Sequence, residues 1–395
     1  MNNFIKIEKT IKPYNKTISI DGDKSLSIRW ALLASQALGS SKAYKLLKSE
    51  DVLNTLNCLK TLGVKVIIKD KYCKIIGKGL NSFKYKKNLT LDVGNSGTLG
   101  RLILGLLIHS DKKIKLIGDK SLSKRDFGRV VLPLKKFGAK FPSKNSNKLP
   151  LTIEGLSQPI PIKYTENKGS AQCKSSVMLA ALNTKGETII KAKKSRNHTE
   201  LLFKYLKIPI KIKKNKNYDY IKVKGRKQFR SFNYTIPSDI SSSAFFIVLT
   251  ALSQKSKLII RNTNVNPSRI GVIKILYKMG VNISLKNKKD YKGEKIADIY
   301  IKSSKNLKAI NCPANLNSSA IDEFLIIFLV AARSKGVSYF KDVSELNKKE
   351  SPRLDWGSKI LNMMGIKTKL TKDSIKIYGQ PDLEITRPII IKNFL

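Results

Sequence analysis

The chain has 395 residues, of which 41% are hydrophobic and 27% are charged, so it is long enough for two domains with buried cores. The formal net charge of +49 would suit a nucleic-acid-binding protein, but 65 of the 77 basic residues are Lys, spread along the chain among abundant Ile and Asn. We therefore interpret most of the Lys residues as solvated surface whose positive field favours anionic substrates.

The residue types that usually build metal, disulfide or triad sites are scarce. Four cysteines lie far apart without a CxxC pair, and the two histidines, His109 and His198, have no cysteine beside them. This argues against a zinc site, a disulfide framework and a Ser-His-Asp triad. The first residues lack the apolar segment of a signal peptide, and the longest apolar run, 324–332, is too short to span a bilayer and predicts a buried helix. We expect a reduced, cytoplasmic protein.

The first predicted elements form a compact unit. A helix is predicted to start at Asp23, where small polar residues precede an Ala/Leu run, and to end at Leu38-Gly39. Taken alone, this stretch is a capped surface helix with solvated charges. A short strand over 43–47 follows, and Ser49 then caps a second helix that ends before the alternating strand 64–68. The unit is helix, strand, helix, glycine, strand.

The same unit is predicted five times along the chain. Its copies start at positions 23, 92, 170, 239 and 322. The glycine that ends the second helix is predicted at Gly63, Gly138, Gly280 and Gly365. Lys207 stands at the glycine position of the third copy. Strand-like runs that end in Gly or Pro near 19–22 and 235–237 are where we expect the chain to cross between lobes.

Nine short motifs then carry a specific resemblance. In order along the chain, they resemble the signatures of the EPSP synthase (3-phosphoshikimate 1-carboxyvinyltransferase) family. They occupy residues 23–29, 94–101, 118–125, 170–175, 195–200, 239–246, 266–269, 321–323 and 349–353.

The resemblance implies a fold and an activity. The implied fold is α/β, a two-lobed enolpyruvyl transferase fold (an inside-out α/β barrel) of repeated βαβαββ units, five of six recognisable. Residues 1–21 and 237–395 would form one lobe, and residues 22–236 the other. The implied transferase moves the enolpyruvyl group of phosphoenolpyruvate to the 5-hydroxyl of shikimate 3-phosphate and releases phosphate, in the shikimate pathway to chorismate and the aromatic amino acids. We expect a cytoplasmic monomer with these two small-molecule substrates, without cofactor, metal, nucleic acid or membrane.

The resemblance also assigns the site. Such anionic substrates need Lys and Arg, and addition followed by elimination needs positioned acid and base groups. Asp322 would take the proton of the attacking hydroxyl, Glu350 would handle the proton on the methylene carbon, and Lys24 would complete the catalytic set. Substrate-binding residues would be Lys24, Ser25, Arg29, Asn95, Gly97, Thr98, Arg125, Ser170, Ala171, Gln172, Ser195, Asp322, Lys349 and Arg353. Without the resemblance, Asp322 reads as a helix N-cap and Ser195 as a loop cap.

Gly97 leads to an expectation about an inhibitor. Small residues at a helix start let an anion approach the backbone N–H groups closely. Members of the family that are insensitive to glyphosate tend to carry Ala at this position. We therefore expect this chain to be sensitive to glyphosate.

Three departures from the family pattern lead to further expectations. Asp126 replaces the Pro that usually follows Arg125, and an acid there would compete for the guanidinium. Pro352 replaces an Asp before Arg353 and would alter the local backbone. The Asp-His-Arg motif of a sixth unit has no counterpart after Pro381. We therefore expect a chain shortened at its C-terminus, poorly active and marginally stable, or a fragment of a longer product.

Three alternatives stay open. The sister enzyme that uses UDP-N-acetylglucosamine carries a catalytic Cys in a mobile loop, whereas no Cys lies between Cys73 and Cys173 here. A basic RNA-binding protein on the same repeat would suit the charge, but the aromatic residues do not interleave with basic runs. A non-catalytic remnant is the third.

Overall fold

The structure is a computed structural model, and it describes residues 10–110, 112–143, 147–349, 351–385 and 389–390. Its α-helices are α1 (Lys24–Gln36), α2 (Glu50–Thr61), α3 (Gly97–Leu107), α4 (Lys120–Ser123), α5 (Gly128–Lys136), α6 (Ala171–Asn183), α7 (His198–Tyr205), α8 (Ile240–Leu252), α9 (Gly271–Lys278), α10 (Asn317–Ala320), α11 (Phe324–Ala332) and α12 (Arg353–Met363). Two 3₁₀ turns span Ala314–Leu316 and Ser344–Lys348. Among the helices of these ranges, none is both long and apolar enough to cross a membrane.

The strands are β1 (Asn15–Ile18), β2 (Leu38–Tyr44), β3 (Lys65–Ile68), β4 (Tyr72–Lys78), β5 (Leu89–Asp92), β6 (Ile114–Ile117), β7 (Leu151–Ile153), β8 (Lys163–Glu166), β9 (Glu187–Lys193), β10 (Ile210–Lys214), β11 (Tyr218–Lys224), β12 (Tyr234–Thr235), β13 (Lys257–Asn264), β14 (Ile283–Tyr291), β15 (Glu294–Lys302), β16 (Gly336–Phe340), β17 (Thr368–Leu370) and β18 (Ile375–Gly379).

The chain divides into two compact units. The central unit comprises Asp21–Asp239 and Asp290–Lys295, and the terminal unit comprises Met1–Ile20, Ile240–Lys289 and Ile296–Leu395. The sequence predicted one lobe of residues 22–236 and another of residues 1–21 and 237–395. It did not predict that the tip of the β14–β15 hairpin belongs to the central unit.

The central unit contains three mixed sheets. Their strand orders are β12-β2-β4-β3, β5-β6-β7 and β10-β11-β9-β8. Each combines one parallel pair with antiparallel pairs, as expected when a helical crossover is followed by a hairpin. The edge strand of the first sheet is β12, which pairs with β2 although the two strands are separated by about half of the chain.

Helices α1, α3 and α6 form the interior of the central unit. Every residue of α1 from Leu26 onward is buried, as is every residue of α6 from Cys173 onward. A helix that is buried all round, as these two are, is enclosed by other elements on all sides. Helices α3 and α6 approach so closely that a Cβ at Gly105 would lie 2.2 Å from the carbonyl oxygen of Ser176. The three helices are therefore rigid supports for whatever their N-termini present.

The terminal unit contains two sheets, β1-β13-β15-β14 and β16-β18-β17. Its core is formed by α8, α9, α11 and α12 packed on these strands. The apolar run 324–332 is helix α11, as predicted. On helix α8 the side chain of Phe245 is 62% exposed. The next residue, Phe246, and Leu249, which lies one turn beyond Phe245, are exposed as well.

The repeated ending predicted from sequence is confirmed in the backbone. All four predicted glycines have positive φ: Gly63 (81°), Gly138 (105°), Gly280 (84°) and Gly365 (83°). Lys207 takes the same left-handed conformation with φ of 54°, so the third copy ends in the same way without a glycine. Glycine is therefore not required at this position, and the left-handed turn that ends the helix is the repeated feature.

Two details of the first unit were predicted wrongly. Helix α1 ends at Gln36 rather than at Gly39, and β2 starts directly at Leu38. Gly39 has φ of 104° inside that strand, because its absent side chain permits this conformation there as readily as at a helix end. Of the predicted strand 43–47, only residues 43 and 44 belong to β2, which begins earlier, and residues 45–47 lie outside the strand. The strand predicted over 64–68 is present as β3.

Candidate active site

The residues predicted to bind substrate fall into a group in each unit, and each group is described by itself. In the central unit the first lies at the start of α1. The Asp23 side chain caps the helix by accepting a hydrogen bond from the Leu26 N–H at 2.9 Å. The backbone N–H of Lys24 donates to Asp239 at 3.1 Å. Lys24 Nζ lies 3.5 Å from Asp51, and its side chain is 43% exposed. A cation thus stands beside a helix N-terminus, which itself favours anions.

Arg29 lies one turn further along α1 and is only 4% exposed. Its Nε donates to Thr199 Oγ1 at 2.9 Å, and its Nη2 donates to Ser175 Oγ at 3.2 Å. Its Nη1 donates to the carbonyl oxygen of Ser25 at 3.0 Å. The guanidinium is therefore tied to α1, α6 and α7 at once.

The N-terminus of α3 brings together three predicted residues: Asn95, Gly97 and Arg125. Its cap is Ser96, whose hydroxyl accepts from the Leu99 N–H at 3.2 Å. A Cβ at Gly97 would lie 3.0 Å from Nη1 of Arg125, which places that guanidinium against the first helical turn. Arg125 Nη2 also lies 3.4 Å from Asn95 Oδ1. This end of the helix combines backbone N–H groups with a cation that a planar anion can meet bidentately.

The N-terminus of α6 meets that of α3 through Gln172. The hydroxyl of Ser170 caps the helix by accepting from the Cys173 N–H at 3.3 Å, and Ala171 is its first residue. Gln172 Nε2 donates to Thr98 Oγ1 at 3.0 Å, which joins two of the predicted site residues directly.

Ser195 precedes α7. Its hydroxyl oxygen is buried, and among the described residues it has no hydrogen-bond partner. The N-cap of α7 is Asn197, two residues later, so Ser195 does not cap that helix.

Arg101 is a central-unit residue whose role the sequence did not reveal. It is 9% exposed, its Nη1 donates to Gln172 Oε1 at 2.6 Å, and its Nη2 donates to the carbonyl oxygen of Asp126 at 3.0 Å. Burial lowers the pKa of Arg101 to about 10, and because this value is still well above 7, the side chain is charged at neutral pH. It stands at the last position of the motif 94–101, which is the signal that could have found it. Ser175 and Thr199 likewise lie inside quoted motifs.

In the terminal unit, Asp322 lies between two cations. Its Oδ1 is 3.2 Å from Lys349 Nζ and 3.6 Å from Arg353 Nη1, and its side chain is 27% exposed. Two cations beside one oxygen favour the charged carboxylate, the form that can accept a proton. The N-cap of α11 is Glu323, so the alternative that Asp322 caps this helix is wrong. Glu350 lies outside the described residues.

A buried network supports the turn that carries Asp322. The side chain of Glu323, 2% exposed, accepts a hydrogen bond from Ser241 Oγ. Arg269 Nη2 donates to the same hydroxyl at 2.7 Å. Both partners lie in motifs quoted for the resemblance, but no site role had been assigned to either.

The structure shows the surroundings of both departures beside a predicted Arg. Asp126 accepts from the Gly128 N–H at 2.7 Å, and its carboxylate lies 3.2 Å from Arg129, at the start of α5. Pro352 stands at the N-cap position of α12, where a proline costs no helical hydrogen bond, and α12 starts with Arg353. Arg353 therefore still reaches Asp322.

The described residues hold no group of three or more His, Cys, Asp or Glu side chains arranged to bind a metal ion. The four cysteines are buried, and burial raises the pKa of Cys73 and of Cys312 to about 11. Their thiols are protonated at neutral pH and poor nucleophiles.

Comparison with known proteins gives a consistent result. The family profile of EPSP synthase (3-phosphoshikimate 1-carboxyvinyltransferase) matches residues 8–387. A 3-phosphoshikimate 1-carboxyvinyltransferase of Ruthia magnifica subsp. Calyptogena magnifica is 44% identical over 374 residues, covering 93% of this chain and 84% of that protein. The enzyme of the same name from Thermoanaerobacter sp. (strain X514) is 40% identical over 365 residues, covering 92% of this chain and 84% of that protein.

A solved structure of EPSP synthase from Acinetobacter baumannii is similar throughout. It superimposes with a TM-score of 0.83 at 34% identity, covering 93% of this chain and 82% of that one. The two-lobed α/β fold expected from the motifs is thereby confirmed. The matches run over nearly the whole of this chain and over 82–84% of the compared proteins, and the expectation of a shortened C-terminus is not supported by them.

Proposed function

Because the chain belongs to the EPSP synthase family, we propose that it transfers the enolpyruvyl group of phosphoenolpyruvate to the 5-hydroxyl of shikimate 3-phosphate and releases phosphate. The observation that carries this proposal is the position of Asp322, whose carboxylate lies between Lys349 and Arg353. A base flanked by two cations suits a reaction in which a hydroxyl must lose a proton next to an anionic partner.

The central unit would hold shikimate 3-phosphate at helix N-termini. Ser170, Ala171 and Gln172 stand at the start of α6, where backbone N–H groups favour a phosphate. Arg29 would bind the carboxylate, next to Ser25. Ser195, whose buried hydroxyl lacks a partner among the described residues, would gain one from the bound substrate. This need for a partner favours binding over the loop-cap alternative.

Phosphoenolpyruvate would meet the start of α3. Gly97 and Thr98 keep the first turn open, while Asn95 and Arg125 lie beside it. Lys24 would bind anionic groups of both substrates. In the terminal unit Lys349 would bind shikimate 3-phosphate and Arg353 phosphoenolpyruvate.

The chemistry would proceed by addition and elimination. Asp322 takes the proton of the 5-hydroxyl of shikimate 3-phosphate while the oxygen of that hydroxyl bonds to C2 of phosphoenolpyruvate. At the same stage the methylene carbon of phosphoenolpyruvate gains a proton, which Glu350 would handle. Loss of a proton from that carbon then expels phosphate and restores the double bond. The cations beside Asp322 keep it charged until it receives the proton.

Substitution of the base tests this assignment. Asp322→Ala should lower kcat by two or more orders of magnitude, roughly the contribution of a positioned general base. Asp382→Ala removes an exposed carboxylate of the same unit and should leave kcat unchanged. Phosphate release with both substrates is the measurement, and near-normal turnover of Asp322→Ala would refute the role of Asp322.

We also propose that the enzyme acts as a monomer in the cytoplasm, without a nucleic-acid or membrane partner. The scattered Lys residues and the absence of a membrane-crossing helix from the described ranges are in keeping with this proposal. Light scattering on the purified protein measures the oligomeric state, and a stable dimer would contradict it.

A further inference from the structure

The guanidinium of Arg29 has one edge filled by two hydroxyl groups. An Arg side chain can meet a carboxylate at the edge that bears Nε and Nη2 or at the end that bears Nη1 and Nη2. Thr199 Oγ1 accepts from Nε at 2.9 Å, and Ser175 Oγ accepts from Nη2 at 3.2 Å. These two oxygens therefore stand where the two oxygens of a carboxylate would stand at the Nε–Nη2 edge.

The two hydroxyls act as a pair. Ser175 Oγ and Thr199 Oγ1 are hydrogen-bonded to each other at 2.7 Å, and both residues are 1% exposed. A buried pair of neutral acceptors orients a cation without neutralising it, whereas a carboxylate in the same place would form an ion pair with Arg29.

The residues next to the pair lock the two elements that carry it. Lys174 precedes Ser175 on α6 and Glu200 follows Thr199 on α7, and their charged groups lie 2.6 Å apart with side chains 0% and 3% exposed. A buried ion pair of this kind fixes geometry more than it adds stability. The hydroxyl pair is thereby held in one place relative to α1.

We propose that Ser175 and Thr199 are positioning residues for substrate recognition. By occupying the Nε–Nη2 edge of Arg29, they direct the substrate carboxylate to the Nη1–Nη2 end and fix the plane in which it binds. A further bond, from Nη1 to the Ser25 carbonyl oxygen at 3.0 Å, helps to set the rotation of that end. This inference rests on the proposed function, which assigns the carboxylate of shikimate 3-phosphate to Arg29.

The inference makes a ligand-specific prediction. Loss of either hydroxyl removes one of the contacts that fix the plane of the guanidinium, so a ligand with a carboxylate loses affinity. A ligand without that carboxylate does not depend on the orientation of Arg29 and keeps its affinity. A merely structural role for the hydroxyls would instead weaken both ligands equally or affect folding alone.

The experiment measures dissociation constants for shikimate 3-phosphate and for its analogue with a hydroxymethyl group in place of the carboxylate. Thr199→Val keeps the shape and removes the hydroxyl, Thr199→Ser restores it, and Ser175→Ala serves if Thr199→Val does not fold. Arg29→Ala reports the full contribution of the guanidinium. Thr184→Val is the matched control, because Thr184 is the buried C-cap residue of α6 and its hydroxyl donates to the Ala180 carbonyl oxygen, away from Arg29.

We expect Thr199→Val and Ser175→Ala to raise the dissociation constant for shikimate 3-phosphate about tenfold and to leave that of the hydroxymethyl analogue unchanged. Thr199→Ser should restore affinity, and KM for phosphoenolpyruvate should stay near its normal value. The inference is overturned if Arg29→Ala weakens binding while neither hydroxyl variant does, or if both ligands weaken together. Normal binding of shikimate 3-phosphate by Arg29→Ala would instead refute the proposed role of Arg29.

Discussion

Gly97→Ala should separate stability from phosphoenolpyruvate binding. Gly97 is the first residue of α3, and its φ is not in the left-handed region, so Ala fits the backbone. The added methyl would lie 3.0 Å from Nη1 of both Arg101 and Arg125, against a comfortable separation of about 3.5 Å. Both guanidinium groups must give way by a few tenths of an ångström, and because Arg101 is buried and held at 2.6 Å by Gln172, we expect Arg125 to move further.

The displacement required of Arg125 is about half an ångström. A misplacement of 1 Å can cost about a hundredfold, so we expect KM for phosphoenolpyruvate to rise about tenfold. Ala is favoured over Gly in a helix by about 1 kcal/mol, so the free energy of unfolding should not fall. The same methyl should weaken inhibition by glyphosate, to which we expect the unsubstituted enzyme to be sensitive.

Steady-state kinetics and thermal unfolding of Gly97→Ala are the assays. Gly100→Ala is the control on the same helix, because its methyl would meet Phe127 and Val93 instead of a guanidinium. It should leave KM for phosphoenolpyruvate unchanged. A normal KM in Gly97→Ala would refute the reasoning, and an unchanged rate of the unsubstituted enzyme in millimolar glyphosate would refute the expected sensitivity.

Three further predictions concern stability, pH and a binding cation. Lys174→Met leaves the buried charge of Glu200 without its partner and should lower the free energy of unfolding by about 3–5 kcal/mol in chemical denaturation. Lys222→Met removes one member of an exposed pair and should lower it by less than about 1 kcal/mol, and equal losses would contradict this prediction. Burial lowers the pKa of His109 from 6.5 to about 4, so the unfolded chain binds more protons between these values and stability should fall as pH drops from 6.5 to 4; His109→Gln should flatten this dependence, and an unaltered slope would count against it. Arg353→Lys keeps the charge but loses the planar fork, so kcat/KM for phosphoenolpyruvate should fall about tenfold or more, and retention of normal kcat/KM would argue against bidentate binding.

The starts of α1, α3 and α6 were predictable because their signals are local. Asp23, Ser96 and Ser170 each cap a helix three residues before the N–H that they accept from, and this spacing is visible in the sequence. The turn at Lys207 was predictable only because neighbouring copies place a glycine there. A repeat therefore carries information that a single unit lacks.

Long-range partners were not predictable from local pattern. Arg29 and Thr199 are 170 positions apart, so nothing in either segment indicates that they bond to each other. The buried charges of Lys174 and Glu200 resemble surface residues in composition, since only the fold shows that each has the other as its partner. Gly39 was misplaced for a related reason, because a positive φ serves a strand and a helix end equally well.

The most direct test of the account is product analysis with the purified 395-residue protein. Incubated with phosphoenolpyruvate and shikimate 3-phosphate, it should form the enolpyruvyl ether and inorganic phosphate in equal amounts, as mass spectrometry and a phosphate assay would show. Neither product should form with one substrate alone or with Asp322→Ala. Absence of the ether from the folded protein, or its undiminished formation by Asp322→Ala, would contradict the proposed function.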